Sequence, residues 1–124
     1  MQRRSVALDC AVSLYMNCHG ADYPDALRKK LPPFLDAIAR SGRVGLAVYN
    51  AGTDIVSGDP LGRMNVSESH VLERDRFVID QLTRRGIPTV VVPSGGYTRE
   101  SYRLIAKMVE YVLATFPSGI IAPR

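Results

Sequence analysis

The sequence predicts an α/β fold, a parallel sheet with flanking helices, and three observations carry that prediction. Two short apolar runs, "GLAVYN" and "IPTVVVPS", are bounded by glycine or proline and read as buried strands. Stretches with helical spacing of apolar residues precede, separate and follow them. Each run also leads directly into a glycine-rich loop, "NAGTDIVSGDPLG" after the first and "SGGYT" after the second. The length of 124 residues suits one modest domain with one core.

Taken in order, "MQRRSVALDCAVSL" sets basic residues ahead of an apolar stretch, as a leader peptide does. Asp9 interrupts the apolar part and no clean small-residue cleavage site follows, so residues 6–14 read as an extended segment. "DYPDALRKKLPPFLDAIARSG" reads as helix in two pieces: Pro24 suits a first turn, Pro32 and Pro33 interrupt and restart the helix, and Gly42 ends it. After the first strand, "NVSESHVLERDRFVIDQLTRRG" starts at a cap, Asn65 or Ser67, and places Val71, Leu72, Val78, Ile79 and Leu82 at helical spacing until Gly86. Val90, Val91 and Val92 form a continuous run, expected of a parallel strand buried on both faces. The last helix, "RESYRLIAKMVEYVLATF", gathers Leu104, Ile105, Met108, Val109, Val112, Leu113 and Phe116 on one face, with Thr98 as its expected cap.

Alternation of strand and helix implies βαβ units, and ligands of such sheets sit at the carboxyl ends of the strands. Both glycine-rich loops leave that end, which makes them the candidate site.

Composition excludes several classes of function. No apolar run approaches the roughly 20 residues of a spanning helix. The net charge of +4 and pI of about 9.3 come from dispersed pairs such as Arg3–Arg4 and Arg84–Arg85, without aromatic interleaving, so solvated helix faces explain them better than nucleic acid does. Cys10 and Cys18 lack disulfide-framework or metal spacing and read as reduced thiols of an intracellular protein.

The loops carry Asp54 and Asp59, which suit a hard-oxygen ligand pair or an acid/base pair, while their ordinary use is to satisfy turn amides. "SGGY" has a phosphate-cradling look without a Walker lysine or GxGxxG spacing. Tyr97, just after two glycines, can present its hydroxyl to a developing oxyanion or simply pack over the loop. His19 and His70 lack metal-ligand spacing and read as exposed, and Ser94 sits in no GxSxG elbow.

Together, "VYNAGTDIVSGDPLGRMNVS", "ERD", "RGIPTVVVPSGGYTRES" and "IA" resemble the C-terminal part of a histone deacetylase domain, and are most similar to the class IV branch (histone deacetylase 11 type) and its bacterial relatives. That resemblance implies the C-terminal portion of an arginase/deacetylase-like fold. It also implies zinc-dependent hydrolysis of the amide of acyl-lysine, with a protein such as a histone as substrate, in the nucleus and/or cytoplasm, without direct contact with nucleic acid or membrane. By position, Asp59 of "GDPLG" matches the family's last zinc ligand, and Tyr97 of "SGGY" matches the tyrosine that polarises the acyl carbonyl. Gly95 and Gly96 match the glycines beside the acyl-lysine channel, and Asp54 takes a structural role in its loop.

The family's DxH-type zinc ligands and paired histidines have no counterpart here, so residues 1–124 are expected to be a partial domain, inactive alone. A non-catalytic interaction module is the alternative. A sheet cut short in this way is expected to self-associate through its exposed edge.

Overall fold

The computed structural model describes residues 22–116, which form α1 (Asp22–Ser41), β1 (Ala47–Asn50), α2 (Glu68–Arg84), β2 (Thr89–Val92) and α3 (Ser101–Thr115). β1 and β2 pair in parallel, with Ala47 opposite Thr89 and Asn50 opposite Val92, so β1, α2 and β2 make the expected βαβ unit. The extended segment expected at residues 6–14 lies outside the described residues.

α2 organises the core because its apolar stripe reaches three neighbourhoods. Val78 and Leu82 pack with Leu35 of α1 and with Ile87 just ahead of β2. Val71 packs with Val56, Val66 and Leu104, and Ile79 with Ala51 and Met108. The helix begins at Ser67, whose hydroxyl accepts from the His70 N–H at 3.3 Å, one of the two caps anticipated. It closes where the N–H groups of Arg85 and Gly86 return to the carbonyls of Leu82 and Thr83.

Three local expectations are corrected. α1 runs unbroken through Pro32 and Pro33. An interior proline costs roughly 3 kcal/mol, but Leu27, Leu31 and Phe34 pack on either side of the pair against the cluster of Leu35, Val78 and Leu82, and that burial carries the helix across. β2 is buried on one face only: Val90 and Val92 point outward with Val48 of β1, at 47%, 39% and 66% exposure, while Tyr49 and Val91 point toward α2 and α3. Finally, α3 has no side-chain cap; Thr98 contributes its backbone carbonyl, accepting from the Ser101 N–H at 3.3 Å. Of that helix's apolar face Leu104 and Met108 are buried, while Val109 and Leu113 stand exposed.

Candidate active site

The site forms where the chain leaves β1 and β2 at the same end of the sheet. Past the last paired residues the ladder gains one bond, Ala51 N–H to the Val92 carbonyl at 2.9 Å, and the two loops then lie side by side. Thr53 joins them: its N–H donates to the Gly95 carbonyl at 2.7 Å and its hydroxyl to the same oxygen at 3.3 Å. This close approach explains the glycine pair. A Cβ on Gly96 would collide with the Thr53 hydroxyl, one on Gly95 would collide with the Asp54 carboxylate, and Gly95 adopts φ +26°, where side chains are strained.

Within the first loop the backbone coils tightly. Val56 N–H donates to the Thr53 carbonyl and Asp59 N–H to the Val56 carbonyl, both at 3.1 Å, while Ser57 N–H reaches across to the Val66 carbonyl at 2.8 Å. The coil delivers Asp59 inward at 6% exposure. Its Oδ1 accepts from the N–H groups of Leu61 and Gly62, each at 2.9 Å, and its Oδ2 accepts from the N–H of Tyr97 at 2.8 Å. Burial works to raise the carboxyl pKa, but the three N–H groups of Gly62, Tyr97 and Leu61 outweigh it and hold the group below the ordinary carboxylate range. Asp59 is therefore ionised at neutral pH. A carboxylate offers about four lone-pair positions, so three backbone donors leave roughly one, on Oδ2, for a further partner.

Tyr97 thus has two parts with different duties: its N–H is fixed on Asp59, while the side chain stands 55% exposed beside it. The structure brings Asp59, Gly95, Gly96 and Tyr97 into one cluster, with Asp54 against Gly52 and Gly95. It does not bring in a histidine. His70 sits in the first turn of α2, half-buried rather than exposed as the sequence suggested, with an unpartnered Nδ1; His19 lies outside the described residues. Among the described residues no group of three or more His, Cys, Asp or Glu side chains could hold a metal ion.

Sequence reasoning missed a buried polar group behind the site. Arg74 and Asp75, 4% and 2% exposed, lie on the core side of α2. Asp75 Oδ1 accepts from the Tyr49 hydroxyl at 2.6 Å and from Arg74 Nε at 2.9 Å, and Arg74 Nη1 donates to the Gly52 carbonyl at 2.7 Å. Burial pushes the Tyr49 phenol far above its ordinary pKa; the nearby Arg74 cation opposes this, and Asp75 adds to it. One signal was present: Arg74 and Asp75 fall three and four residues after Val71 and before Val78, on the stripe that reads as core.

A parallel βαβ unit whose two strand-end loops converge on a buried, ionised aspartate and an exposed tyrosine places the chain in a class of α/β proteins with a polar site at the carboxyl edge of the sheet. The chain matches the family model of the histone deacetylase domain over residues 2–115, and it belongs to that family. It is 40% identical to histone deacetylase 2 of Arabidopsis thaliana over 86 residues, which cover 69% of this chain and 22% of that protein. It is also 27% identical over 81 residues to an uncharacterized protein of Picosynechococcus sp. (strain ATCC 27264 / PCC 7002 / PR-6), covering 65% of this chain and 27% of that one. The chain thus spans about a quarter of the length of these relatives.

Proposed function

We propose that this chain carries the aspartate and tyrosine portion of a site that hydrolyses the amide of acyl-lysine, and that it does not catalyse that reaction by itself. The observation that carries the reading is the bond from the Tyr97 N–H to Asp59 Oδ2, which couples the "GDPLG" and "SGGY" loops at a fixed distance. In this reading Asp59 is one metal ligand, suited to it because ligands bind deprotonated and its backbone donors keep it so. The Tyr97 hydroxyl donates to the oxyanion that develops on the acyl carbonyl. Gly95 and Gly96, packed against Asp54 and Thr53 where no Cβ fits, would border the acyl-lysine side chain in this reading. The forms "YNAGTD" and "SGGY" resemble the class IV branch, and the family resemblance implies an intracellular setting and a protein substrate such as a histone.

A catalytic zinc ion takes three protein ligands and keeps an open position. The described residues supply one, so they do not by themselves fit the ion. The second reading, a non-catalytic interaction module that associates through its open sheet, is favoured by the exposed apolar face of Val48, Val90 and Val92.

The two readings separate by experiment. The purified chain is expected to retain substoichiometric zinc and to leave acetyl-lysine peptide intact; stoichiometric zinc with turnover would overturn the claim of inactivity alone. In the longest native polypeptide that contains residues 49–97, Tyr97→Phe is expected to lower kcat by about 10²–10³-fold, the usual loss of one oxyanion donor. Bound metal should be unchanged, because the backbone N–H on Asp59 survives the substitution. Full activity in Tyr97→Phe would remove the tyrosine from the mechanism.

A further inference from the structure

We propose that Arg74 is a positioning residue for Tyr97 and Asp59: its guanidinium, locked on Asp75, holds the Gly52 carbonyl and through it the register of the two loops that form the site. The meaning of this coupling rests on the reading of Tyr97 and Asp59 given above, but the coupling itself can be measured without activity.

Burying a charged pair costs desolvation of both ions. Residues adjacent in a helix do not face one another, yet Arg74 and Asp75 both turn into the core and pair there. Replacing a buried ion pair by apolar side chains is often neutral or stabilising, and the neighbours Val71, Val78 and Ile79 show that this face of α2 accepts aliphatic groups. What a charged pair supplies and an apolar pair does not is directed hydrogen bonding.

The guanidinium geometry shows what. Arg74 Nε donates to Asp75 Oδ1 at 2.9 Å and Nη2 lies 2.8 Å from the same oxygen, too poorly aligned to be a hydrogen bond. Asp75 is in turn held by the Tyr49 hydroxyl from β1. Because the guanidinium is a rigid planar fork, docking that edge on the carboxylate of the adjacent helical residue directs Nη1 away from it, with or without the Tyr49 bond. Nη1 points to the Gly52 carbonyl, 2.7 Å away, at the head of the first loop.

The next links are short. Thr53, the residue after Gly52, donates its N–H to the Gly95 carbonyl at 2.7 Å. Two residues beyond Gly95, the Tyr97 N–H reaches Asp59 Oδ2 at 2.8 Å. Arg74 therefore joins α2 to both loops without touching either candidate site residue. A lysine would carry the charge for Asp75 but, as a single ammonium head, would lack the second arm directed at Gly52.

The test is site-resolved amide exchange on the full chain. In Arg74→Lys the Thr53 and Tyr97 amides are expected to exchange about tenfold faster or more, relative to the Val78 and Ile79 amides of α2. Tyr49→Phe removes a bond to Asp75 but leaves the arm on Gly52, so it should change that ratio by no more than about twofold. Should Arg74→Lys not fold, the double variant Arg74→Met with Asp75→Leu replaces the pair by apolar side chains and carries the same expectation. If neither folds, native-state exchange of the unaltered chain in denaturant decides: the Arg74 Nε–H, Thr53 and Tyr97 should open together, below global unfolding. Loop amides that keep their protection in the variants, that loosen only in step with the core, that loosen as much in Tyr49→Phe, or that open separately from Arg74 would each overturn the proposal. Failure of acyl-lysine hydrolysis would leave these exchange results standing and refute only the functional reading.

Discussion

The two strands present contrasting surroundings along their length. At their carboxyl ends Asp59 meets three backbone donors, Thr53 bridges the loops, and Arg74 ties that end to α2. On their outward face Val48, Val90 and Val92 form an exposed apolar strip. The difference teaches that the polar end is built from contacts within residues 22–116, whereas the sheet's outward face is not. Directional bonds fix the first, while the second carries apolar surface whose burial would stabilise the chain by about 25 cal/mol per Å².

The sharpest break of this contrast is at Asp75. Asp75→Ala removes the acceptor of both the Tyr49 hydroxyl and the Arg74 guanidinium and leaves a buried cation unpaired. The expected loss is about 3–5 kcal/mol, seen as a collapse of the urea unfolding midpoint. A small loss at Asp75 would show that the polar end contributes little to the fold.

A gentler probe is alkaline pH. Tyr49 has its pKa raised in the folded chain, first by burial and further by Asp75, with Arg74 opposing. Its share of the stability is fully present below the unfolded value, about 10, and is lost as pH rises from there toward the folded value. The unfolding midpoint should therefore stay flat up to that pH and decline above it. In Tyr49→Phe the decline should be shallower without vanishing, because Tyr111, also raised by burial and by its bond to Asp80, contributes to it. An identical decline in Tyr49→Phe would mean that the phenol is not buried as described.

These cases also show what a sequence discloses. The stripe of α2 was legible because Val71, Val78, Ile79 and Leu82 repeat at helical spacing, and both strands were legible as apolar runs closed by turns. Convergence of the loops followed from parallel topology. What escaped was decided by partners remote in sequence. The proline pair in α1 reads as a break until its neighbours find Leu35, Val78 and Leu82, and the valines of β2 encode an apolar face without naming its cover. For Asp59 the turn-amide use offered by its setting is what the Leu61 and Gly62 N–H groups supply, but the third bond, from the Tyr97 N–H in the other loop, leaves no mark in residue identity. Arg74 and Asp75 stood in the sequence only as part of the quoted "ERD", with no burial or pairing assigned to them, because pairing hides in three dimensions what a charge count displays in one.

The smallest effect is expected where the opposite end of the comparison lies. Val48→Thr and Val90→Thr keep a β-branched side chain on the strand, so propensity and backbone pairing are retained. Both side chains point away from the packed face, so each substitution should change stability by no more than about 0.5 kcal/mol. The same pair should lower the light scattering of concentrated solutions, because the apolar strip shared by the two strands is interrupted on both of them. A loss of stability comparable to a core truncation, about 2 kcal/mol or more, would show that these valines are covered and that the two ends of the sheet are more alike than their exposures indicate.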